Sequence, residues 1–329
     1  MTPDDANIAR ESPASTARSG VSVVIATYNG AKRVPEVLAA LAAQTAPAGS
    51  FEVIVVDNNS TDGTAAAVES DPATAALRAR GVEVRVVSEP RQGVLFARLK
   101  GVREASAELV TFLDDDNLPD PDYLSFGMRQ FDDSTLAMIN SKVEAAWETS
   151  PPPSVLRRRH LFAVNDYLGD SPRDFGANGS FAPTVTAGMW VRREVFLAAV
   201  PWREPKNLLS GRVGKYLISG EDIEFGVLVG MAGYRRIYNP DLRVKHRIPE
   251  SRLQTAYVRR LIEGIVRSEL TLKEKYLRER AGLLAKLIAF AQLAAAPVIG
   301  LYRGDAKRET AFIAAAAIAR LKGPFRRAK

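Results

Sequence analysis

The chain has 329 residues, 46% of them hydrophobic, which is enough to bury a substantial core and too apolar for disorder throughout. It has no cysteine and only two histidines, His160 and His246, so a disulfide framework, a thiolate zinc site, a cysteine nucleophile and a multi-histidine metal cage are all excluded. The formal charge is +7, but residues 251–329 hold 17 Lys and Arg against 6 Asp and Glu, so the cationic excess belongs to the C-terminal part and the rest is mildly acidic.

Residues 1–19 are polar and lack the apolar run of a secretory signal; they read as a disordered leader on a cytoplasmic protein. From Gly20, β-branched runs alternate with helical stretches. VSVVIA, EVIVVD, VEVRVV and LVTFL predict strands, and the stretches around VPEVLAALAAQ, TAAAVES and FARLKGVREA predict the helices between them. Continuous apolar strands separated by helices indicate an α/β protein with a mostly parallel central sheet covered on both faces, which binds ligands beyond the carboxyl ends of its strands. Those ends carry Thr27-Tyr28-Asn29-Gly30, Asp57-Asn58-Asn59 and Asp114-Asp115-Asp116. The first turn lacks Gly-x-Gly-x-x-Gly, which argues against a dinucleotide site.

Asp120-Pro121 predicts an N-cap and first helical position for a helix through Phe131. LAMINSKVEAAW reads as a strand, and residues 149–184, rich in Pro, Gly, Arg and Asp, as an excursion of loops suited to recognition. TVTAGMWV, RREVFLAAV and IEFGVLVGM read as strand, helix and helix. In RVKHRI, His246 alternates onto the apolar side with Val244 and Ile248 and so points into the body of the protein.

The order of these motifs resembles the family 2 glycosyltransferases, over roughly residues 20–250. "VSVVIATYNG" looks like their opening strand and turn, "VIVVDNNSTDGT" like the second strand, "FARLKGVREASAELVTFLDDDN" like the approach to the Asp-x-Asp motif, and "AGMWVRREVF" and "SGEDIEF" like the later acceptor and catalytic segments. The resemblance implies a GT-A nucleotide-sugar-binding fold and inverting transfer from a nucleoside diphosphate sugar, a UDP-sugar, to a hydroxyl of a glycan or lipid-linked acceptor in bacterial surface polysaccharide synthesis. Thr27, Tyr28, Asp57, Arg98, Asp114 and Asp115 would hold the donor. Asp114, Asp116 and His246 would hold Mn2+ or Mg2+, hard cations that suit carboxylate oxygens and a diphosphate. Asp222, beside Glu221, would be the base that takes the acceptor proton, kept ionised by its helix dipole. Gly188, Met189 and Trp190 would shape the acceptor side, with Trp190 stacking on a sugar. The family's Asn after the arginine is Leu99 here.

Each signal also has a structural alternative. Three aspartates can form a solvated turn, Asp57-Asn58-Asn59 a helix entry, Ser219-x-x-Asp222 a capping box, and Trp190 or His246 a core residue. A nucleotidyltransferase, which would need a Gly-rich basic loop better than TYNGAKR, and a non-catalytic sugar-nucleotide-binding scaffold are the rival functions. A glycosidase has no use for a diphosphate-binding acid cluster.

The remaining residues, 251–329, predict a basic helical appendage. Residues 251–280 form a charged amphipathic helix, and LLAKLIAFAQLAAAPVIGLY is too short and too interrupted to span a membrane. With ETAFIAAAAIARLKGPFRRAK it is expected to lie on an anionic membrane surface at the inner face of the cell membrane, to pair with a second copy, or to pack on the catalytic domain. Nucleic acid is not an expected partner, because no basic surface interleaved with aromatics is evident.

Overall fold

The computed structural model describes residues 18–209, 218–279, 283–302 and 305–325. The leader read from the sequence lies, for residues 1–17, outside the described residues; Arg18 and Ser19 already belong to the first strand.

The strands β1 (Arg18–Thr27), β2 (Phe51–Asp57), β3 (Glu83–Ser88) and β4 (Ala107–Asp114) pair in parallel in the order β3-β2-β1-β4. The sheet continues from β4 through β8 (Met189–Arg192), β6 (Leu136–Trp147) and β9 (Arg235–Ile248) to β5 (Asn117–Pro119), with β7 (Arg173–Asp174) also on β9. β8 is antiparallel to both neighbours, whereas the long β6 and β9 run parallel.

Alternate residues of β1 and β2 enter different cores. Val21, Val23, Ile25, Val53 and Val55 pack beneath α1 (Val34–Ala42), α3 (Pro72–Ala79) and α5 (Tyr123–Met128). Val24, Ala26, Ile54 and Val56 pack beneath α4 (Val94–Glu104), α7 (Arg193–Ala199) and α8 (Glu221–Met231). Burial on both faces is why these strands are apolar throughout instead of alternating. Leu99 lies 3% exposed in the second core, so its replacement of the family's Asn supplies packing. The remaining short helices of this region are α2 (Thr64–Ser70) and α6 (Pro153–Leu156).

Two local expectations are corrected. α5 runs only from Tyr123 to Met128, and the chain before it is held by residues that follow α1: Gln44 Nε2 donates to the Asp120 carbonyl at 2.8 Å and the Thr45 amide to the Pro121 carbonyl at 2.8 Å. Asp120 is therefore not the cap. Likewise no capping box opens α8; its N-cap is Gly220, at φ 117°, without a side-chain cap.

The C-terminal region comprises α9 (Thr255–Leu272), a π-helical turn (Lys273–Leu277), α10 (Leu283–Tyr302) and α11 (Ala306–Lys322). α11 packs on α9 and α10 packs on α11. Phe312 and Ala315 of α11 join Val155, Phe162, Ile248, Val258 and Leu261 in a third core, which fastens this layer to the 153–164 excursion and the end of β9. Among the described residues no helix is long and apolar enough to cross a membrane.

Candidate functional site

The parallel register brings the polar strand ends together. Thr27 stands opposite Asp57, and Ala26 opposite Asp114, so the turns after β1, β2 and β4 share one edge of the sheet. The acidic turn after β4 is held from within: Asn117 Oδ1 accepts the Asp114 amide at 2.9 Å, and Asn117 Nδ2 donates to Asp116 Oδ1 at 3.2 Å. β5 then pairs Asn117 with His246, and the Arg247 amide donates to the Asp116 carbonyl at 2.8 Å, which delivers His246 to the acids from the far strand.

Each aspartate has a different counter-ion. Asp114, whose side chain is 29% exposed, accepts from Arg98 Nη2 at 2.7 Å, while Arg98 Nη1 donates to Glu221 Oε1 at 2.7 Å. The buried guanidinium thus ties the acidic turn to the head of α8. Asp115 is clasped by Arg33 through Nε at 2.9 Å and Nη2 at 2.8 Å and receives the Thr27 hydroxyl at 2.6 Å. Burial raises the Asp115 pKa, opposed by the Arg33 hydrogen bond. Gly30 makes this clasp feasible, because a Cβ there would lie 2.0 Å from Thr27 Oγ1. Asp116 accepts from Arg252 Nη2 at 2.9 Å and has His246 Nε2 at 3.4 Å from Oδ1.

His246 Nε2 also lies 3.1 Å from Arg252 Nη1, and Nδ1 is buried without a hydrogen-bond partner among the described residues. The expected three-ligand set is corrected accordingly. Asp116 and His246 converge, Asp114 turns to Arg98, and among the described residues no three His, Asp or Glu side chains group as a metal site. A carboxylate and an imidazole still fit a divalent cation, whose other ligands would come from outside this pair.

Asp222 sits in the first turn of α8, partly exposed, with Oδ1 accepting the Ile223 amide at 2.8 Å. Desolvation, then the neighbouring Glu221 carboxylate, push its pKa up to about 7. The helix dipole was expected to help hold this group ionised; burial and the like charge outweigh it. Asp57 is half-buried and accepts the Ser60 amide at 3.0 Å, and Tyr28 is 48% exposed at the mouth of the same edge.

The acceptor-side expectation is overturned. Gly188, Met189 and Trp190 are buried, and Trp190 packs on Tyr123 and Phe131 in the core beneath α5. Its ring fits because Gly127 has no side chain; a Cβ there would lie 2.2 Å from it. Residues 210–217, just before α8, lie outside the described residues. Sequence reasoning missed Arg33 and Arg252. The basic end of TYNGAKR could have pointed to Arg33, but nothing marks Arg252.

Residues 22–196, just over half of the chain, match Glycosyl transferase family 2. Glycosyltransferase AglE of Haloferax volcanii is 29% identical over 191 residues, 58% of each chain, and validoxylamine A glucosyltransferase of Streptomyces hygroscopicus subsp. jinggangensis is 39% identical over 106 residues, 32% of this chain and 24% of the relative. The chain thus spans less than two thirds of the length of these relatives. Among solved structures, a mannosyltransferase from Pyrobaculum calidifontis in complex with GDP-Man and Mn2+ superposes with a TM-score of 0.58 at 20% identity, covering 97% of this chain and 92% of that one. The sheet, its acidic edge and the matched segment together show that the chain has the GT-A fold and belongs to glycosyl transferase family 2.

Proposed function

We propose that the protein is an inverting glycosyltransferase that moves a sugar from a nucleoside diphosphate sugar, a UDP-sugar, to a hydroxyl of a glycan or lipid-linked acceptor in surface polysaccharide synthesis at the inner face of the cell membrane. The observation that carries this reading is Arg98, which joins Asp114 of the acidic turn to Glu221, the neighbour of Asp222, and so puts a donor-binding edge and a candidate base in one site. Asp57, Thr27 and Tyr28, at the ends of β1 and β2, would meet the nucleoside. Asp116 and His246 would hold Mn2+ or Mg2+, which neutralises the diphosphate when bound. Asp222, its pKa raised to about 7 by burial, suits removal of a proton from an attacking hydroxyl. Relatives' names include poly(ribitol-phosphate) beta-N-acetylglucosaminyltransferase and validoxylamine A glucosyltransferase, so acceptors vary among similar chains.

The test is donor binding and turnover in two variants. Asp116→Ala is expected to abolish metal-dependent stabilisation by nucleotide sugars in thermal shift. Asp222→Asn should retain that binding and lose activity by about 10²–10⁴-fold. Full turnover in Asp222→Asn would refute Asp222 as the base, whereas donor binding without turnover in the wild type, with biological activity intact in Asp222→Asn, would point to a binding scaffold.

A further inference from the structure

Two features of the C-terminal helices have no part in this site. The first is the outward face of α10, where Leu287, Phe290, Ala291, Ala294 and Val298 form one stripe at helical spacing and all are exposed. Leu287, Phe290 and Val298 are 55%, 59% and 61% exposed. The opposite face, with Ala289, Ala296 and Gly300 buried, is used against α11, where a Cβ on Gly300 would lie 2.6 Å from the Ala306 carbonyl. No Asp or Glu occurs between residues 283 and 302. A continuous apolar stripe of this kind marks an interaction surface.

The second feature is a cleft of about 350 Å³ between the 159–162 turn and α9, α10 and α11. Leu161, Ile299 and Ile313 supply apolar walls, Arg158, His160 and Arg320 supply cationic or titratable groups, and no carboxylate is among the lining residues. Arg158 is matched by Glu309 behind it, at 2.6 Å. Arg320 donates to the neutral Gln292 amide at 2.8 Å, so its charge is not cancelled there.

We propose that this layer docks on anionic lipid: α10 lies in the plane of a membrane surface with its stripe among the acyl chains, and the cleft takes one phosphate-bearing lipid, its hydrocarbon against Leu161 and Ile299 and its phosphate at Arg320. The spacing and length of α10 suit lying on a membrane, since no described helix can cross one. Charge decides between a lipid and a second copy of this chain. Residues 251–329 carry 17 Lys and Arg against 6 Asp and Glu, so self-association would bring like charges together, whereas an anionic surface brings opposite ones. This inference rests on the membrane location proposed above and not on the transfer chemistry.

The experiment is co-sedimentation of the full chain with vesicles of phosphatidylcholine alone and of equal parts phosphatidylcholine and phosphatidylglycerol, with light scattering in the absence of lipid. The wild-type chain is expected to sediment with the anionic vesicles and to be released by high salt. Phe290→Ser with Val298→Ser should weaken partitioning at least about tenfold, and Arg320→Gln should narrow the preference for anionic vesicles, each at an unchanged melting temperature. Absence of sedimentation, equal binding by the stripe variant, or a wild-type dimer that the stripe variant dissolves would overturn the proposal. Release from anionic vesicles by inorganic phosphate at constant ionic strength would show a free-anion site instead, and would overturn it too.

Discussion

At the scale of single residues the site is dominated by the cost of holding charge away from water. Arg98 cannot discard its proton, so it persists in the interior only because Asp114 and Glu221 are each 2.7 Å away. Asp222 makes no ion pair among the described residues, and burial makes it bind a proton more tightly, with a pKa of about 7. Protonated Asp222 cannot act as a base, so kcat/KM is expected to fall as the pH drops through about 7. Glu221→Gln removes the like charge and should move that acidic limb to lower pH; a flat profile across neutrality would refute the assignment. The same shift makes Asp222 favour the fold at low pH, an advantage lost as pH rises from the ordinary aspartate range through about 7. Asp222→Asn should therefore gain melting temperature relative to wild type at pH 8, and far less at pH 4. Gly30 acts through space alone. Gly30→Ala should break the Thr27–Asp115 contact and lower stability by about 1–3 kcal/mol in denaturant unfolding.

At the scale of elements, two buried carboxylates anchor the C-terminal helices. Glu224 of α8 accepts from Tyr276 Oη at 2.7 Å, pairs with Lys275 and also receives the Leu209 amide at 2.6 Å. Glu309 of α11 is fully buried and receives Arg157 and Arg158, both at 2.6 Å, and the adjoining Asp305 accepts from Ser154 at 2.5 Å. Burial alone would raise the Glu309 pKa, but the hydrogen bonds from Arg158 and Arg157 bring it down to about 2. The pairing thus stabilises the fold above the ordinary glutamate range and is lost as pH falls through about 2. Glu309→Gln removes the buried carboxylate that receives Arg157 and Arg158, and is expected to destabilise the fold near neutrality. That difference should shrink in strong acid, as chemical denaturation at both pH values would show.

At the scale of the whole molecule, the third core makes the C-terminal layer continuous with the sheet, through Ile248 at the end of β9 and Val155 and Phe162 of the excursion. Phe312→Ala should therefore destabilise by about 3–5 kcal/mol. Calorimetry of the wild type should show the layer unfolding with the sheet in one transition; a separate low-temperature transition for the tail would contradict this. What could be read in advance follows from range. The four parallel strands and the span of β6 were legible because burial on both faces writes itself into consecutive residues. TVTAGMWV shrank to a four-residue strand because Gly188, at φ 69°, turns the chain just before it. The sequence by itself determined the parallel α/β order and the polar ends at Thr27, Asp57 and Asp114, since backbone pairing and strand burial are local in their demands. Only the tertiary structure decided that Arg98 links Asp114 to Glu221, that Arg33 and Arg252 neutralise the other two acids, and that Trp190 faces the core. Those facts depend on side chains brought together from distant parts of the chain, which no local pattern specifies.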